Sequence, residues 1–129
     1  PVFYVHYAYA RCKSIVKNSN IFDQKFSFEE IKMLKDNNEL SLIKLISQWP
    51  RVVELSAKHM EPHRICYYLI ELASEFHSLW NKGKVDESLK FIHVDDTSIT
   101  KSKLALINSI MLTIKSGLNI LSINPMEEM

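Results

Sequence analysis

Apolar residues recur at helical spacing along most of this chain. With 100° of rotation per residue they gather into one-sided stripes, and each stripe predicts an amphipathic helix. Six helices are predicted in this way: residues 3–18, 27–35, 36–49, 50–59, 62–81 and 98–116. Within the charged connection at residues 82–97, the run from Leu89 to Val94 is a candidate for a short extended piece. The pattern therefore predicts a bundle of five or six helices with mostly short connections.

Two of the predicted helix starts carry capping signals. Residues 27–30 (S-F-E-E) and 36–39 (D-N-N-E) both match the capping box, in which the first and fourth residues satisfy each other's backbone N–H groups. Phe26 and Ile31 are spaced for a hydrophobic staple around the first of these caps. These signals predict that separate helices begin at both places.

Proline and glycine mark the remaining helix ends. Pro50 and Pro62 are each expected at the first position of a helix, where the missing N–H costs nothing. Gly117 follows the last apolar stripe and is expected in the left-handed conformation that commonly ends a helix.

Composition supports an all-α fold. The 129 residues include only two glycines and four prolines, whereas all-β domains use many of both at turns. The length is that of one domain, so residues 1–129 are expected to form a single unit. No run of about 18 apolar residues exists, so no membrane span is expected. Because the chain begins at Pro1 rather than Met, we expect it to be a piece of a longer protein.

No residue cluster predicts catalysis or metal binding. Cys12 and Cys66 lie on apolar stripes, which is typical of buried free thiols in a cytosolic protein and unfavourable for a thiolate nucleophile. The spacing of His59, His63 and Cys66 is compatible with zinc ligands. However, Pro62 interrupts the helix face, and no fourth ligand is obvious. Two isolated glycines cannot form a phosphate-binding glycine loop. We therefore expect no catalytic residue, no metal and no cofactor in this chain itself.

The stretch VFYVHYAYAR, residues 2–11, combines aromatic and cationic side chains. Tyr4, Tyr7 and Arg11 form one row on the predicted helix, beside the apolar stripe that contains Tyr9. Stacked tyrosines with an arginine suit unpaired bases, because every base has a π-face and a phosphate nearby. A row of tyrosines packed against another helix has the same spacing. The residues alone leave both interpretations open.

Charge is distributed unevenly. The net charge is only +1, yet residues 1–18 contain three cations and no carboxylate. In this segment His6, Lys13 and Lys17 are expected to face solvent. Trp49 and Trp80 each end an apolar stripe, so both are expected to be packing residues.

Three separated motifs share the order and spacing of one known family. Residues 1–11 read P-V-F-Y-V-H-Y-A-Y-A-R, residues 61–81 contain E-P-H-R followed by Y-L, L-A, F-H-S and N, and residues 117–121 read G-L-N-I-L. Together they resemble the C-terminal DALR-type anticodon-binding domain of arginyl-tRNA synthetases, over the whole chain. The family often ends in P-E-R-M, whereas residues 125–129 here are P-M-E-E-M.

This resemblance implies a function. It implies the helical anticodon-binding domain of a class I enzyme, arginine–tRNA ligase, which uses ATP to join arginine to its tRNA. The catalytic and N-terminal domains would lie outside this chain, so the chain alone is expected to be inactive. Its partners would be tRNA-Arg and the catalytic domain, in a cytoplasmic monomer. By match, Tyr4, Tyr7, Arg11, Tyr68 and Met129 would contact the anticodon, chiefly its middle cytosine.

Two alternatives remain open at this point. The chain could be a helical protein-interaction domain whose tyrosine row docks a partner helix, or the related bundle of another class I synthetase. Salt separates the first alternative from RNA binding, because RNA binding weakens steeply with salt through counterion release. Tyr68 also lies at the edge of an apolar stripe, where a mainly structural role is equally open.

Overall fold

The computed structural model describes residues 1–21, 25 and 27–129. Over these residues the fold is all-α, as predicted, with six α-helices and one 3₁₀ turn. In chain order they are α1 (Val2–Ser19), α2 (Phe28–Ile31), α3 (Asn37–Ser47), α4 (Trp49–His59), α5 (His63–Gly83), the 3₁₀ turn (Glu87–Leu89) and α6 (Thr97–Ile120). In the described part of the chain, no helix combines the length and apolarity that crossing a membrane requires.

The predicted capping box is complete at α3, and at α2 the structure shows its Ser27 half. The Ser27 hydroxyl accepts the backbone N–H of Glu30 at the start of α2. Residues 36–39 form a complete capping box at the start of α3. The predicted staple between Phe26 and Ile31 involves Phe26, which lies outside the described residues. Local sequence thus determines where α2 and α3 begin.

The two prolines lie at helix starts, each one position away from the prediction. Helix α4 begins at Trp49, so Pro50 is its second residue, and Pro62 is the N-cap of α5 rather than its first residue. The helix loses no hydrogen bond in either case, because N–H groups in the first turn have no partner within the helix.

The prediction of an extended piece between Leu89 and Val94 is corrected by the structure. Leu89 ends the 3₁₀ turn, and the described residues contain no strand. Leu89 and Phe91 are both buried, and the Phe91 ring lies 5.9 Å from that of Phe76 on α5. The apolar residues of this run anchor a loop onto α5, which produces the same alternating pattern as a strand.

Helices α5 and α6 form the centre of the bundle. Helix α5 packs against α1, α3, α4 and α6, and α1 packs against both α5 and α6. Their least exposed side chains fill the core: Leu69, Leu72, Phe76 and Leu79 from α5, and Leu104, Ile107, Ile110, Ile114 and Leu118 from α6. Trp49 and Trp80 are only partly buried but pack against this core. One face of α1 is therefore fixed against α5.

Gly117 does not end the last helix, which is a second correction. Helix α6 continues to Ile120, and the left-handed residue after it is Ser122, with φ 60°. Gly117 instead lies in close contact with α5. A Cβ atom at Gly117 would be 2.7 Å from Cδ2 of Leu69, and Leu69 is itself only 1% exposed. The glycine is required by helix packing and not by backbone conformation.

Gly117→Ala is accordingly expected to destabilise the chain. Overpacking a buried contact costs about 1–3 kcal/mol, which should exceed the ~1 kcal/mol that alanine gains over glycine in helix propensity. Chemical denaturation measures the net change in unfolding free energy. Asn119→Ala, at an exposed position of the same helix, is the control for helix propensity alone. A Gly117→Ala variant as stable as the Asn119→Ala variant would contradict the close contact with Leu69.

Candidate functional site

Helix α1 presents the predicted row of side chains on its surface. Tyr4 and Tyr7 are 40% and 37% exposed, and Arg11 is half-buried. Tyr9, on the neighbouring stripe, is only 4% exposed. The separation of Tyr9 from the row, predicted from helical geometry, is confirmed. The row therefore has aromatic area available to a ligand.

A histidine from α5 lies behind the two tyrosines. The His77 ring centroid is 4.6 Å from that of Tyr4 and 5.5 Å from that of Tyr7. The pKa of His77 is lowered, mainly by burial and to a lesser extent by the positive charge of Arg11. A hydrogen bond with the Tyr4 backbone opposes this shift. The ring is therefore neutral near pH 7 and acts as an aromatic support for the tyrosines rather than as a cation.

Arg11 is held between two aromatic rings. Its Cζ atom lies 4.6 Å from the ring centroid of Tyr7 and 4.7 Å from that of Trp80 on α5. Its Nη2 atom donates a hydrogen bond to the Tyr7 hydroxyl at 2.5 Å. Across the described residues, no carboxylate forms an ion pair with the guanidinium. The aromatic rings orient the guanidinium and leave its charge unneutralised.

A groove of about 1170 Å³ lies beside Arg11 and Tyr7. Five cations contribute to its lining: Arg11, Lys13, Lys17, Lys84 and Lys90. Glu127 and Glu128 also line it, and the Glu127 carboxylate lies 3.7 Å from the Lys13 ammonium. Cations therefore outnumber carboxylates among the charged residues of this largely apolar groove, and the groove is continuous with the aromatic row through Tyr7 and Arg11. A polyanion with flat apolar groups matches this combination of charge and aromatic surface.

Met129 lies at this groove, whereas Tyr68 does not. Met129 is half-exposed and contributes to the groove lining. Tyr68 precedes His77 by nine positions on α5, which places it about 14 Å away along the helix and on the opposite side. Of the five residues predicted from the resemblance, the structure thus brings together Tyr4, Tyr7, Arg11 and Met129.

Tyr68 is instead a buried contact between α5 and the segment of α3 and α4. It is 5% exposed, its hydroxyl donates to the Leu45 carbonyl at 2.7 Å, and its ring stacks on Trp49 with centroids 5.1 Å apart. Burial raises the pKa of Tyr68 to about 12. These contacts hold α5 to α3 and α4.

Two expectations about single side chains are wrong. His6 was expected to face solvent, but it is only 8% exposed, and its Nδ1 atom accepts the backbone N–H of Met126 at 3.0 Å. Cys66 was expected to be buried and is exposed, whereas Cys12 is buried as predicted. Burial raises the pKa of the Cys12 thiol well above its usual value. The reason for both errors is that each helical stripe was assigned a face without knowing which segment covers it.

The roles of His77 and Trp80 were missed. His77 belongs to the F-H-S segment and Trp80 ends an apolar stripe, but nothing in the sequence of α5 pairs either residue with α1. The sequence signal that could have found His77 was the position of this polar residue next to the apolar Phe76, which the structure shows to be fully buried.

Comparison with known proteins identifies similar chains. A family model described as "DALR anticodon binding domain" matches residues 5–129. The arginine–tRNA ligase of Ehrlichia chaffeensis is 45% identical over 133 residues, covering the whole chain and 22% of that protein. Those of Parvibaculum lavamentivorans and Jannaschia sp. are 44% and 41% identical, again over the whole chain and over 23% and 22% of the relatives. The chain thus spans less than a quarter of the length of these relatives.

Proposed function

Since this chain belongs to the DALR anticodon-binding domain family, we propose that it binds the anticodon stem-loop of an arginine tRNA as part of an arginine–tRNA ligase. The observation that carries the proposal is the row of exposed Tyr4, exposed Tyr7 and half-buried Arg11 beside a groove whose lining includes five cations. The relatives named arginine–tRNA ligase, which the chain matches along its whole length, support the choice of tRNA.

In this proposal each part of the site has a separate task. The rings of Tyr4 and Tyr7 stack on unpaired bases of the loop, and His77 keeps the two rings in place. Arg11, oriented by Tyr7 and Trp80, contacts a base edge or a phosphate. The groove lysines follow the phosphate backbone, and Met129 adds an apolar contact. Tyr68 contributes through packing.

The chemistry of aminoacylation is assigned to another part of the protein. A catalytic domain outside this chain would use ATP to activate arginine and transfer it to the tRNA, in the cytoplasm. The task of this chain would be to hold the anticodon end so that the acceptor end reaches that domain. Binding of the anticodon by this chain would then favour the reaction in the catalytic domain by holding the acceptor end in the right position.

The experiment that tests the proposal uses two RNA hairpins. The 15.1 kDa chain is titrated by NMR with an arginine anticodon stem-loop and with one whose middle cytosine is replaced by uracil. We expect weaker binding of the replaced loop by about 1–3 kcal/mol, the usual discrimination of one base contact. Affinity should also fall steeply between low and moderate salt. Equal affinity for both loops, or affinity independent of salt, would favour a protein-docking role for the tyrosine row.

Arg11 allows a sharper test of the contact chemistry. Arg11→Ala is expected to weaken stem-loop binding and, where the guanidinium meets a phosphate, to reduce the slope of log affinity against log salt by about one unit. Arg11→Lys should restore the slope of a phosphate contact but not a planar or bidentate base contact.

The control for loss of charge is Arg51→Ala. Arg51 is an exposed arginine on α4 that is already paired with Glu54. Arg51→Ala should leave both the stem-loop affinity and the slope of log affinity against log salt nearly unchanged. If Arg11→Ala behaved like this control, Arg11 would have no contact with the RNA.

A further inference from the structure

The end of α6 is followed by a reversal of the chain that returns it to α1. Ser122 adopts a left-handed conformation, and the Ile123 N–H donates to the Leu118 carbonyl at 2.8 Å. Residues 124–129 then lie along α1. Two contacts fix them there: the Met126 N–H donates to His6 Nδ1 at 3.0 Å, and Glu127 pairs with Lys13 at 3.7 Å.

These two contacts differ in strength. The ion pair of Lys13 with Glu127 is largely exposed, with side chains 47% and 64% accessible, and pairs of this kind contribute little. His6 is 8% exposed, so its acceptor atom is shielded from water. Losing the acceptor would leave the Met126 N–H without its partner. The hydrogen bond to His6, which is partly buried, is therefore the stronger anchor.

We infer that His6 is a positioning residue, which holds residues 124–129 against α1 and thereby places Met129 at the groove beside Tyr7 and Arg11. This inference rests on the proposed function, because it assigns Met129 to the RNA-binding site. His6 itself touches no RNA in this arrangement. Its Nδ1 atom must be unprotonated to accept the hydrogen bond, so the ring carries its proton on Nε2.

Two substitutions separate the hydrogen bond from the packing of the ring. His6→Phe retains an aromatic ring of similar size but lacks the acceptor. His6→Asn loses the ring but has a side-chain oxygen close to the position of Nδ1. We expect His6→Phe to weaken binding of the arginine anticodon stem-loop about fivefold, the net value of one hydrogen bond, and His6→Asn to restore most of the affinity. The opposite ranking would make His6 a packing residue and overturn the inference.

A double variant tests whether His6 acts through Met129. Met129→Ala is expected to weaken binding to the same extent as His6→Phe, and the two substitutions together should weaken it no further, because residues that act through one contact are not additive. Additive losses would overturn the inference. So would a His6→Phe variant that binds as tightly as the wild-type chain while Met129→Ala binds less tightly.

Methyl NMR of the methionines separates this inference from the proposed function. In the absence of RNA, His6→Phe is expected to shift the methyl signals of Met126 and Met129, while Met60, on the far turn between α4 and α5 and 87% exposed, should not move. An unshifted Met129 signal would overturn the positioning role. A wild-type chain that showed no preference for the arginine stem-loop would overturn the proposed function, whatever the methyl signals did.

Discussion

Lys103→Met is expected to lower the free energy of unfolding of this chain by about 3–5 kcal/mol, because it leaves a buried carboxylate without its cation. Lys103 on α6 is 5% exposed and Glu39 on α3 is 2% exposed. The Lys103 ammonium donates to the Glu39 carboxylate and, at 3.2 Å, to the Ser88 carbonyl. The other oxygen of Glu39 accepts the Asp36 N–H at 3.2 Å, so the same carboxylate completes the cap of α3.

Chemical denaturation of three variants tests this prediction. Lys103→Met alone should be strongly destabilised. Lys103→Met combined with Glu39→Leu should recover part of the loss, because no buried charge then remains, although the cap of α3 loses its Glu39 acceptor. The matched control is Lys90→Met, which removes an exposed pair with Glu87 and should change stability little. Equal effects of Lys103→Met and Lys90→Met would mean that water reaches the buried pair.

The helices themselves were predictable because their signals are local. Four signals act within a few residues: the Ser27 cap, the capping box at residues 36–39, the proline positions and the apolar stripes. The buried pair of Glu39 with Lys103 was not predicted. Both residues are polar, they lie 64 positions apart, and only the packing of α3 against α6 makes them neighbours.

Errors about single residues share one physical cause. On a helical wheel His6 lies away from the main apolar stripe, but it is only 8% exposed and accepts a hydrogen bond from Met126 near the end of the chain. Gly117 has the position of a helix terminator, but α5 crosses close to it and requires the absence of a side chain. Whether a face is buried depends on the segment that covers it, and a local pattern contains no such information.

The candidate site was only partly predictable, because one part of it lies on a single helix and the other part depends on how two helices cross. The spacing of Tyr4, Tyr7 and Arg11 places them in one row of one helix, and helical geometry separates that row from Tyr9. The support from His77 and Trp80 arises where α5 crosses α1. The resemblance to a known family added Met129, which lies at the groove, and Tyr68, which lies on the opposite side of α5.

Tyr9→Ala and Tyr7→Ala are expected to have opposite effects, although the two residues are separated by a single position. Tyr9 is 4% exposed and packs in the core, so its truncation should cost about 3–5 kcal/mol of stability, the usual loss for a large buried aromatic. Stem-loop affinity of the Tyr9→Ala variant, measured well below its melting temperature, should then be nearly unchanged, because the variant is still folded there. Tyr7 is 37% exposed, so its truncation should cost less stability. It should weaken binding by about 1–3 kcal/mol through lost stacking.

Tyr7→Phe distinguishes stacking from the orientation of Arg11. This substitution retains the ring that would stack on a base but removes the hydroxyl that accepts the Arg11 hydrogen bond. It should therefore weaken binding less than Tyr7→Ala does. Thermal melting and RNA titration on the same preparations give both quantities for each variant. If Tyr7→Ala lowered the melting temperature as much as Tyr9→Ala and left stem-loop affinity unchanged, the tyrosine row would be part of the core, and the RNA would have to bind elsewhere on the bundle.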